Sequence, residues 1–437
     1  MKILLIGNCA RSHIIAETLS KSRHKPEIFA FMGAKNPGIA KIAKEYDLGK
    51  LNDVPAIISF AKKIRPDFAF ISPELPLSVG AADALLAIGV PTVGPIKELA
   101  DLECSKSFVL ELMDEYKISG APRFRIFKSM AGIDEFLDEL GDTGYVLKPD
   151  GLTGGKGVMV SGDHVNSKDD ALSYCKEIIS KHGRIVIEEK LNGEEFSQMC
   201  FVDGKTVVEM PPVQDHKRAF EGDKGSNTGG MGSYSYPKIL PFIIEKDLTD
   251  AHKINVAVND AMYRKYGKYY NGIMYGGFMA TKNGVKLIEY NARLGDPEAM
   301  NVLSVLKTDF VDISLAIVRG TLSSLKVEFE PKATVCKYIV PEGYPDKPKS
   351  GDVVDVSGVS AGAKIYFSSV NETDGRLVMG SSRAIALVGV ADSIDEAEKI
   401  AETACMQVKG PVRHRKDIGT RALVQKRIDH MKRIRGK

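Results

Sequence analysis

Residues 287–298 read Leu287-Ile288-Glu289-Tyr290-Asn291-Ala292-Arg293-Leu294-Gly295-Asp296-Pro297-Glu298. Glu289 and Asn291 are two positions apart, and on a strand this spacing places both side chains on one face. A carboxylate beside an amide oxygen suits a hard cation such as Mg²⁺, which in proteins usually sits on nucleotide phosphates. A turn favoured by the following Gly and Pro would bring Arg293 and Asp296 next to that metal. An edge strand with a solvated polar face is the alternative explanation.

Composition and charge describe an ordinary globular protein. The chain has 437 residues, which at roughly 150 residues per domain allow two to four domains. Hydrophobic residues amount to 43% and the net charge is +3, so neither nucleic acid nor a membrane surface is expected as a partner. The sequence has no run of eighteen apolar residues, and its six scattered cysteines form no C-x-x-C pair. We therefore expect reduced thiols and a cytoplasmic protein.

The first 100 residues alternate short apolar runs with helical patterns. The predicted strands are Ile3–Ile6, Ile28–Phe31 and Phe68–Ser72, and the predicted helices are Ile14–Ser20, Ile57–Ile64 and Ser78–Ala87. This order indicates a doubly wound parallel sheet, in which ligands bind at the carboxyl ends of the strands.

The first such strand end carries Gly7-Asn8-Cys9-Ala10-Arg11-Ser12-His13. This stretch has one glycine where the dinucleotide-binding pattern needs three. Arg11 and His13 at a helix N-terminus could still hold a phosphate, although an ordinary strand-to-helix turn explains them equally well. Glu74, just beyond the third predicted strand, offers a carboxylate to the same crevice.

A second region begins near residue 100 with a predicted helix from Lys106 to Tyr116. A predicted strand ending at Lys148 then leads into residues 149–157, which hold four glycines and Lys156. The backbone N–H groups of such a loop can close on phosphates, and a simple glycine hairpin is the alternative. The loop is not a Walker A motif, because Gly157 follows the lysine where Ser or Thr is required.

Two further stretches suit a nucleotide and an anionic substrate. The predicted strand Val186–Leu191 enters Asn192-Gly193-Glu194-Glu195, where backbone groups could read an adenine and a carboxylate could accept the ribose hydroxyls. Residues 214–218, Gln-Asp-His-Lys-Arg, precede the glycine-rich residues 225–232 and suit an anion. A solvated acidic turn and a surface loop are the respective alternatives.

The remaining patterns predict the elements around these motifs. They are the helices Asp247–Lys265 and Phe310–Val318, the hairpin Gly272–Thr281 with Val285–Tyr290, the strands Thr334–Val340, Val353–Val356, Ala363–Phe367 and Arg383–Val390, and the helix Ser393–Val408. The basic residues of Gln425–Lys437 are interpreted as a solvated helix end. We predict a parallel-sheet α/β domain at 1–103, a second domain at 104–328 with a mobile lid at about 122–190, a small mixed α+β domain at 329–425 and a basic tail at 426–437.

In this order the motifs resemble the ATP-grasp superfamily of carboxylate–amine ligases, and within it the phosphoribosylamine–glycine ligases of de novo purine synthesis. The resemblance covers nearly the whole chain and is carried by residues 214–218, 227–232, 289–298 and 415–419. It implies that residues 104–328 form an ATP-grasp domain. It also implies ATP-dependent ligation of glycine to 5-phosphoribosylamine through a glycyl phosphate, which gives glycinamide ribonucleotide, ADP and phosphate.

The same resemblance implies ATP with Mg²⁺ or Mn²⁺ as cofactors, and a monomer whose partners are the two small-molecule substrates. It assigns ATP binding to Lys106, Lys148, Gly154, Gly155, Lys156, Gly157, Glu188, Glu189, Leu191 and Glu195. It assigns the metal to Glu289 and Asn291. Catalysis and substrate binding are assigned to Lys148, Asp215, Arg293, Asp296, Arg11, His13, Glu74, Lys217 and Asn227.

The sequence departs from the family pattern in several places. The first loop of the family usually reads Gly-x-Gly-Gly-Arg-Glu-His, and here Cys9, Ala10 and Ser12 replace two glycines and the glutamate. Those glycines would let the backbone approach a substrate phosphate. Ser72 likewise replaces a glycine. Many ATP-grasp relatives carry a further carboxylate on the strand before the metal pair, and here that position is interpreted as Gly276, so only two protein ligands are expected.

Other interpretations of these residues remain. The altered first loop is compatible with a relative that binds a nucleotide without catalysis, or with an ATP-grasp ligase that acts on a different amine. The basic tail, if it were a nucleic-acid arm, would give RNA binding that weakens with salt.

Overall fold

The computed structural model describes residues 1–151 and 157–436. Its first elements are β1 (Lys2–Ile6), α1 (Ala10–Ser20), β2 (Glu27–Met32), α2 (Pro37–Ile42), β3 (Glu45–Leu48), α3 (Val54–Ile64), β4 (Phe68–Ile71), α4 (Glu74–Ser78), α5 (Ala81–Ala87) and β5 (Thr92–Val93). The strands form one sheet in the order β3-β2-β1-β4-β5, and every neighbouring pair is parallel. The predicted doubly wound sheet is confirmed, and its strand order reverses between β1 and β4, where ligands bind in such folds.

Local sequence explains most of these elements and also the errors. Strand β1 is an apolar run whose last four residues are buried, as expected for a parallel strand covered on both faces. Helix α3 begins where the Asp53 side chain accepts a hydrogen bond from the Ala56 N–H. Strand β3 was missed because it is short and half-exposed, and β5 has only two residues. The single predicted helix Ser78–Ala87 is wrong, because the left-handed Gly80 separates α4 from α5.

The next part of the chain joins the parallel sheet to a small subdomain. Its elements are α6 (Lys97–Cys104), α7 (Lys106–Glu115), β6 (Phe124–Phe127), α8 (Ile133–Leu140), β7 (Tyr145–Pro149), β8 (Met159–Val160), α9 (Lys168–His182) and β9 (Ile185–Glu189). The strands pair in the antiparallel order β6-β9-β7-β8, and α8 and α9 share a separate apolar core with them. This subdomain corresponds to the predicted lid, and the loop between β7 and β8 includes residues 152–156, which lie outside the described residues.

A long antiparallel sheet forms the centre of the molecule. Its elements and those packed on it are β10 (Gly193–Asp203), β11 (Val207–Glu209), β12 (Val213–Asp215), β13 (Arg218–Phe220), β14 (Lys224–Asn227), β15 (Gly232–Ser235), α10 (Glu245–Tyr266), β16 (Asn271–Thr281), β17 (Gly284–Asn291), α11 (Glu298–Ser304), α12 (Phe310–Arg319), β18 (Ala333–Pro341), β19 (Val353–Val354), β20 (Lys364–Phe367), β21 (Val370–Thr373), β22 (Arg376–Met379), β23 (Ile385–Ala391), α13 (Ile394–Gln407), β24 (Val412–Arg413) and α14 (Arg421–Arg435). The sheet order is β17-β16-β10-β12-β15-β18-β23-β20.

This sheet continues from the predicted second domain into the predicted third. Strand β15 pairs with β18 from Gly232–Ser235 to Thr334–Lys337, so the two regions share one hydrogen-bonded ladder. The connection spans about a hundred residues of sequence, and no local pattern in either strand specifies it. The mixed α+β character predicted for the last region is confirmed.

The hairpin of β16 and β17 carries the segment with which the sequence analysis began. Its turn follows Thr281 and closes with Gly284 at φ +109°, as the Lys-Asn-Gly sequence predicts. The register shifts once: Gly277 pairs with Glu289 and Phe278 pairs with Leu287, which leaves Ile288 as a bulge. Bulges free backbone groups from the ladder, and this one lies beside the site described below.

The basic tail is the end of helix α14. Its residues Lys432 and Arg433 are exposed, as expected for a solvated helix end. The opposite face is buried at Leu423, Val424 and Met431, and the last two lie in the apolar core beneath the central sheet. The prediction of a solvated helix end therefore holds for one face of α14 but not for the other.

Among the residues described, no helix combines the length and the apolar character that a membrane crossing requires. All six cysteines fall in this part of the chain and carry free thiols.

Candidate active site

A cavity of about 820 Å³ opens where the parallel sheet, the lid subdomain and the central sheet meet. Most of the predicted site residues line it. They are Arg11, Glu74, Lys106, Lys148, Glu188, Glu189, Leu191, Glu195, Asp215, Lys217, Asn227, Glu289, Asn291, Arg293 and Asp296. These residues span almost the whole sequence, so the fold assembles one cleft from motifs that are far apart along the chain.

The predicted metal pair faces this cleft from the end of β17. The Glu289 side chain remains about a third exposed, and Lys217 Nζ lies 3.2 Å from its Oε1. Lys217, followed by the more distant Lys148, lowers the pKa of Glu289 to about 2 against the opposing effect of burial. Asn291 Oδ1 accepts a hydrogen bond of 3.1 Å from Arg293. An anionic carboxylate and an amide oxygen on one strand face are a donor set that fits Mg²⁺ or Mn²⁺.

The register corrects one expectation about this metal site. The sequence analysis placed the extra metal carboxylate of other ATP-grasp proteins at Gly276. In the structure Gly277 pairs with Glu289, whereas Gly276 pairs with Tyr290, and a Cβ on Gly276 would meet the Asn255 side chain of α10 at 2.7 Å. The position that shares the cleft face with Glu289 is therefore Gly277, which adds no ligand.

Lys148 is held at the centre of the cleft by two oxygen atoms. Its Nζ lies 2.6 Å from Glu188 Oε2 and donates a hydrogen bond of 2.9 Å to the carbonyl of Ile288. Because of the bulge, the Ile288 carbonyl is not paired within the ladder, and it is available to accept the hydrogen bond that holds Lys148 in the cleft. Burial raises the pKa of Glu188 although Lys148 opposes the effect.

The loop after β7 is anchored at its first residues. Asp150 accepts hydrogen bonds from the Ser107 hydroxyl at 2.7 Å and from the Ser107 N–H at 3.2 Å, and it forms an ion pair with Arg184. Lys106 donates a hydrogen bond of 2.8 Å to the carbonyl of Gly151, and burial lowers its pKa. The start of the loop is thus tied to the N-terminus of α7, which also supplies the cleft lysine.

The other predicted loop residues differ in what the structure describes. Gly157 lies at the far base of the loop with φ +86°, and its carbonyl accepts a hydrogen bond from the Tyr174 hydroxyl of α9. It packs on Pro149 rather than lining the cleft. The predicted phosphate contacts Gly154, Gly155 and Lys156 lie outside the described residues.

Arg293 is the centre of a buried charge cluster. Its Nη2 lies 2.8 Å from Glu103 Oε1, and its Nε lies 3.4 Å from Glu74 Oε2. Burial disfavours the charged form of Glu74, yet Arg293 and Arg11 lower its pKa to about 2. Arg11 donates a hydrogen bond of 2.6 Å to the carbonyl of Leu294, so it supports the turn that carries Arg293. The cluster fixes the arginine fork at the border of the two sheets.

The altered first loop has its own hydrogen bond. The Ser12 hydroxyl donates to the Ser72 hydroxyl at 2.9 Å, and both side chains are buried. A Cβ on Gly7 would lie 2.5 Å from the Ser12 oxygen, and Gly7 has φ +136°. The two replaced family positions therefore contact each other and tie the loop after β1 to the loop after β4.

His13 does not reach the cleft, which contradicts its predicted role in substrate binding. Its Nδ1 accepts a hydrogen bond of 3.0 Å from the Phe367 N–H, and its ring stacks on the Phe367 ring at 5.8 Å. Burial lowers its pKa to about 4. The side chain leaves the first turn of α1 on the side of β20, so it joins the first and last parts of the chain.

A second acidic group lies opposite the metal pair. The Glu298 carboxylate accepts a hydrogen bond of 2.8 Å from the Tyr275 hydroxyl, and burial raises its pKa. Burial, reinforced by the nearby Glu298, raises the pKa of Asp215 well above its usual range. Asp215 lies against the turn at Gly230.

The pKa of Asp296 is shifted in the opposite direction to that of Asp215, because an arginine from the last region of the chain lies beside its carboxylate. Arg383 Nη2 lies 3.3 Å from Asp296 Oδ1, and the Tyr338 hydroxyl lies 2.5 Å from the same oxygen. Burial opposes ionisation, but Arg383 lowers the pKa of Asp296. Arg383 also donates hydrogen bonds to the carbonyls of Gly229 and Gly230 at 2.7 and 2.8 Å. It thereby holds the glycine turn against Asp296.

The opposite end of the cleft has the character of a nucleotide pocket. Leu191 lines the cavity together with apolar residues of the lid and the central sheet, namely Val146, Val160, Met279 and Leu287. Glu195 lies 3.6 Å from Lys217 Nζ, and its carbonyl accepts a hydrogen bond of 3.2 Å from Gln214. The predicted adenine and ribose residues thus line the same cavity as Lys106 and Lys148, the lysines predicted to bind phosphates.

Sequence reasoning missed several residues of this site. Glu103, Tyr275, Tyr338 and Arg383 belong to no motif that was singled out. Arg383 could have been noticed as a charged residue at the start of a predicted apolar strand. Glu103 gives no comparable signal, because an acidic residue near a helix end is common.

Fold and site together place the chain among the ATP-grasp ligases, enzymes in which a lid and a central sheet enclose a nucleotide between lysines and a metal pair. The predicted architecture of three parts, with this domain in the middle, is confirmed.

Comparison with known proteins gives the family. Three domain models of phosphoribosylglycinamide synthetase match successive parts of the chain: the N domain at residues 1–103, the ATP-grasp (A) domain at 104–299 and the C domain at 334–421. The phosphoribosylamine–glycine ligase of Methanosarcina barkeri is 49% identical over 437 residues and covers 100% of both chains. The chain belongs to the phosphoribosylamine–glycine ligase family and is a ligase that forms a carbon–nitrogen bond. Most of helix α14 lies beyond residue 421, where the last domain match ends.

Solved structures agree with this assignment. The crystal structure of phosphoribosylamine–glycine ligase from Thermotoga maritima has a TM-score of 0.80 and 28% identity, and the match covers 95% of this chain and 100% of that chain. Biotin carboxylase from Campylobacter jejuni has a TM-score of 0.77 at 14% identity, with 99% and 98% of the two chains covered. The second likeness concerns the fold alone.

Proposed function

We propose that the cleft ligates glycine to 5-phosphoribosylamine and converts ATP to ADP and phosphate, with glycinamide ribonucleotide as the product. The observation that carries this proposal is the convergence of Glu74, Lys148, Glu289, Arg293 and Arg383 on one cavity. Each of the three parts of the chain contributes to it, so a nucleotide and two small substrates can meet there. The names of the relatives supply the identity of the substrates.

The proposed reaction has two steps. A carboxylate oxygen of glycine attacks the γ-phosphorus of ATP, the bond to the bridging oxygen breaks, and ADP leaves. The amine of 5-phosphoribosylamine then attacks the acyl carbon of glycyl phosphate, loses a proton and displaces inorganic phosphate. Phosphoryl transfer of this kind needs positioning and charge neutralisation more than a covalent nucleophile on the protein.

The lysines of the cleft fit this requirement. Lys106 and Lys148 both line the cavity, and Lys148 already holds a fixed position between Glu188 and Ile288. In this proposal both contact the phosphates of ATP. Glu189 and Leu191 hold the adenine, and Glu195 accepts the ribose hydroxyls.

Glu289 and Asn291 would hold Mg²⁺ or Mn²⁺. The low pKa of Glu289 keeps its carboxylate anionic at every working pH. The bound cation supplies neutralisation of phosphate charge during transfer. Arg293 is proposed to hold the carboxylate of glycine, because its buried fork is fixed by Glu74 and Glu103.

The amine substrate is proposed to bind between the first loop and the glycine turn. Arg11, Lys217 and Asn227 offer cationic and polar groups there, and Asp296 and Asp215 offer carboxyl oxygens. Asp215 is a candidate to take the proton that the attacking amine loses, because burial and Glu298 hold its pKa well above the usual range.

The test is an assay with carboxyl-¹⁸O-labelled glycine, ATP–Mg²⁺ and freshly generated 5-phosphoribosylamine. We expect glycinamide ribonucleotide and ADP in equal amounts, with one ¹⁸O atom transferred from glycine to inorganic phosphate. Omitting glycine or the amine should each abolish product. ADP formation with a different amine but none with 5-phosphoribosylamine would contradict the proposal and indicate another ATP-grasp ligase.

We further propose that the protein acts as a cytoplasmic monomer. The free thiols and the modest net charge of +3 support this proposal. Light scattering of the purified protein should give a mass near 47.6 kDa, and a mass of twice that value would contradict it.

A further inference from the structure

Helix α14 packs against the strand that forms the nucleotide end of the cleft. Leu423, Val424 and Met431 are buried, and Val424 and Met431 pack in the core shared with β10 and β16. Strand β10 begins at Gly193, directly after the Glu189–Leu191 connector. The C-terminal helix is therefore the layer behind the segment proposed to bind adenine and ribose.

The side chains of two polar residues of α14 contact the start of β10. Arg427 Nη1 lies 3.2 Å from Glu194 Oε2, and His430 Nδ1 lies 2.6 Å from Glu194 Oε1. The other ring nitrogen of His430 lies 3.2 Å from Asn192 Oδ1. Both oxygens of one carboxylate and the neighbouring amide are thus held by a single helix.

Arg427 also fixes a second wall of the cleft. Its Nη2 lies 2.5 Å from Asp223 Oδ2 in the loop between β13 and β14, and Arg415 holds the other oxygen of Asp223 at 3.1 Å. Arg427, Glu194 and Asp223 all line the cavity. The Arg427 side chain is only 16% exposed, so these charges attract with little screening by water.

Successive side chains of β10 point to opposite faces of the sheet, so contacts made by Glu194 on one face also fix the residue that follows it on the other face. Glu194 points toward α14, so the adjacent Glu195 points to the opposite face, where it lies 3.6 Å from Lys217. Leu191 and Gly193 line the same cavity. Because Asn192 and Glu194 flank the point at which the connector becomes β10, their fixation sets the position of Glu195 and of the connector backbone.

We propose that helix α14 belongs to the nucleotide site, and that Arg427 and His430 are positioning residues that act through Glu194 and Asn192 on the Glu189–Glu195 segment. This inference rests on the proposed function only in taking that segment as the place where the nucleotide binds. It assigns a role to the part of the chain beyond residue 421.

The same helix supplies a matched control. Arg435 forms an ion pair with Asp247 at 2.8 Å and donates hydrogen bonds to the Thr281 carbonyl. Its side chain is 12% exposed, close to the value for Arg427, but it lies at the far end of α14 and does not line the cavity. A merely structural role of α14 predicts similar effects for both arginines.

The experiment is calorimetric titration of ADP with saturating Mg²⁺ into the full chain and three variants. We expect Arg427→Met to weaken ADP binding by about tenfold, the effect of losing a hydrogen bond between charged groups. His430→Phe should weaken it in the same direction by a smaller factor. Arg435→Met should leave the dissociation constant within about twofold while lowering the melting temperature.

Kinetics give a second readout that a structural role would not move. In both cleft-side variants the KM for ATP should rise while the KM for glycine stays unchanged. The proposal would be overturned if His430→Phe bound ADP with unchanged affinity and Arg427→Met also did so. It would equally be overturned if His430→Phe bound ADP with unchanged affinity and Arg427→Met failed to fold. Equal weakening by Arg435→Met would do so as well. ADP binding needs no turnover, so a wild-type protein that makes no glycinamide ribonucleotide would refute the proposed function and leave this result standing.

Discussion

Lys217 Nζ lies 3.2 Å from Glu289 Oε1, so the carboxylate predicted to bind the metal is already paired with a cation from the segment between β12 and β13. The same ammonium group lies 3.6 Å from Glu195 Oε2. Lys217 thus lies between the predicted metal carboxylate and the predicted ribose carboxylate and offsets part of their negative charge. A cation held by Glu289 would share this carboxylate with Lys217, which would tie metal binding to the position of the lysine.

Replacing Glu289 by Gln should reduce turnover far more than stability. The substitution removes one negative charge at the phosphates and keeps the side-chain shape, so we expect kcat to fall at least ~10²-fold, the scale of one preorganised electrostatic contact. The melting temperature should change little, because the side chain is partly exposed. Turnover and melting temperature are measured on the same variant at saturating Mg²⁺. Nearly normal turnover with a lowered melting temperature would show a structural carboxylate instead.

Replacing Lys217 by Met should make activity more sensitive to acid. Lys217 is the largest influence that lowers the pKa of Glu289 to about 2, so its removal raises that pKa. Glu289 must be ionised to act, and kcat/KM should therefore fall at a higher pH in the variant than in the wild type. The measurement is the ratio of kcat/KM at pH 8 to that at pH 5. Lys217→Arg keeps the charge and should restore the wild-type ratio, and the same ratio in all three proteins would refute this coupling.

Ser12 and Ser72 should show strong coupling in a double-mutant cycle. Their buried hydroxyls are 2.9 Å apart, so either single change to Ala leaves one hydroxyl buried without this partner. We expect each single variant to lose about 1–2 kcal/mol of unfolding free energy and the double variant to lose clearly less than the sum. Urea unfolding of the four proteins gives these values. Additive losses would mean that the hydroxyl pair is not an interacting unit.

His13 should make the protein less stable in mild acid. Burial lowers its pKa from 6.5 to about 4, so between these values the unfolded chain binds a proton that the folded chain does not. The unfolding free energy therefore falls as the pH decreases through this window, by on the order of 2 kcal/mol at pH 5 from this residue alone, and is constant above it.

The matched variant for this test is His13→Asn, whose Oδ1 takes the position of Nδ1 and can still accept the Phe367 N–H. Urea unfolding at pH 7.5 and pH 5 should show a smaller loss of stability in the variant than in the wild type. An equal loss in both proteins would assign the pH dependence to other groups.

Short-range sequence patterns predicted much of this molecule. The period-two alternation and the Lys-Asn-Gly turn predicted the hairpin of β16 and β17, which the structure confirms. Buried apolar runs predicted β1, β2 and β4 of the parallel sheet. Motif chemistry predicted that Lys148, Glu289, Asn291 and Arg293 would share one site, and all four line the same cavity. These successes depend on signals contained within a few residues.

The errors share a different cause. The Ile288 bulge, the face on which Gly276 lies and the direction of His13 depend on which atoms the rest of the chain supplies as partners. A residue such as Glu103 or Arg383 has no local signal, because its partner is far away in the sequence.

The sequence alone determined the architecture class, the family and the chemical types in the cleft. Only the tertiary structure decided that β15 and β18 join two regions in one sheet, that Arg383 neutralises Asp296, and that α14 lies behind the start of β10. The physical reason is the range of the forces involved. Side-chain periodicity and turn preferences act over a few residues, whereas burial, ion pairing and sheet pairing act between any groups that the fold brings within a few ångströms.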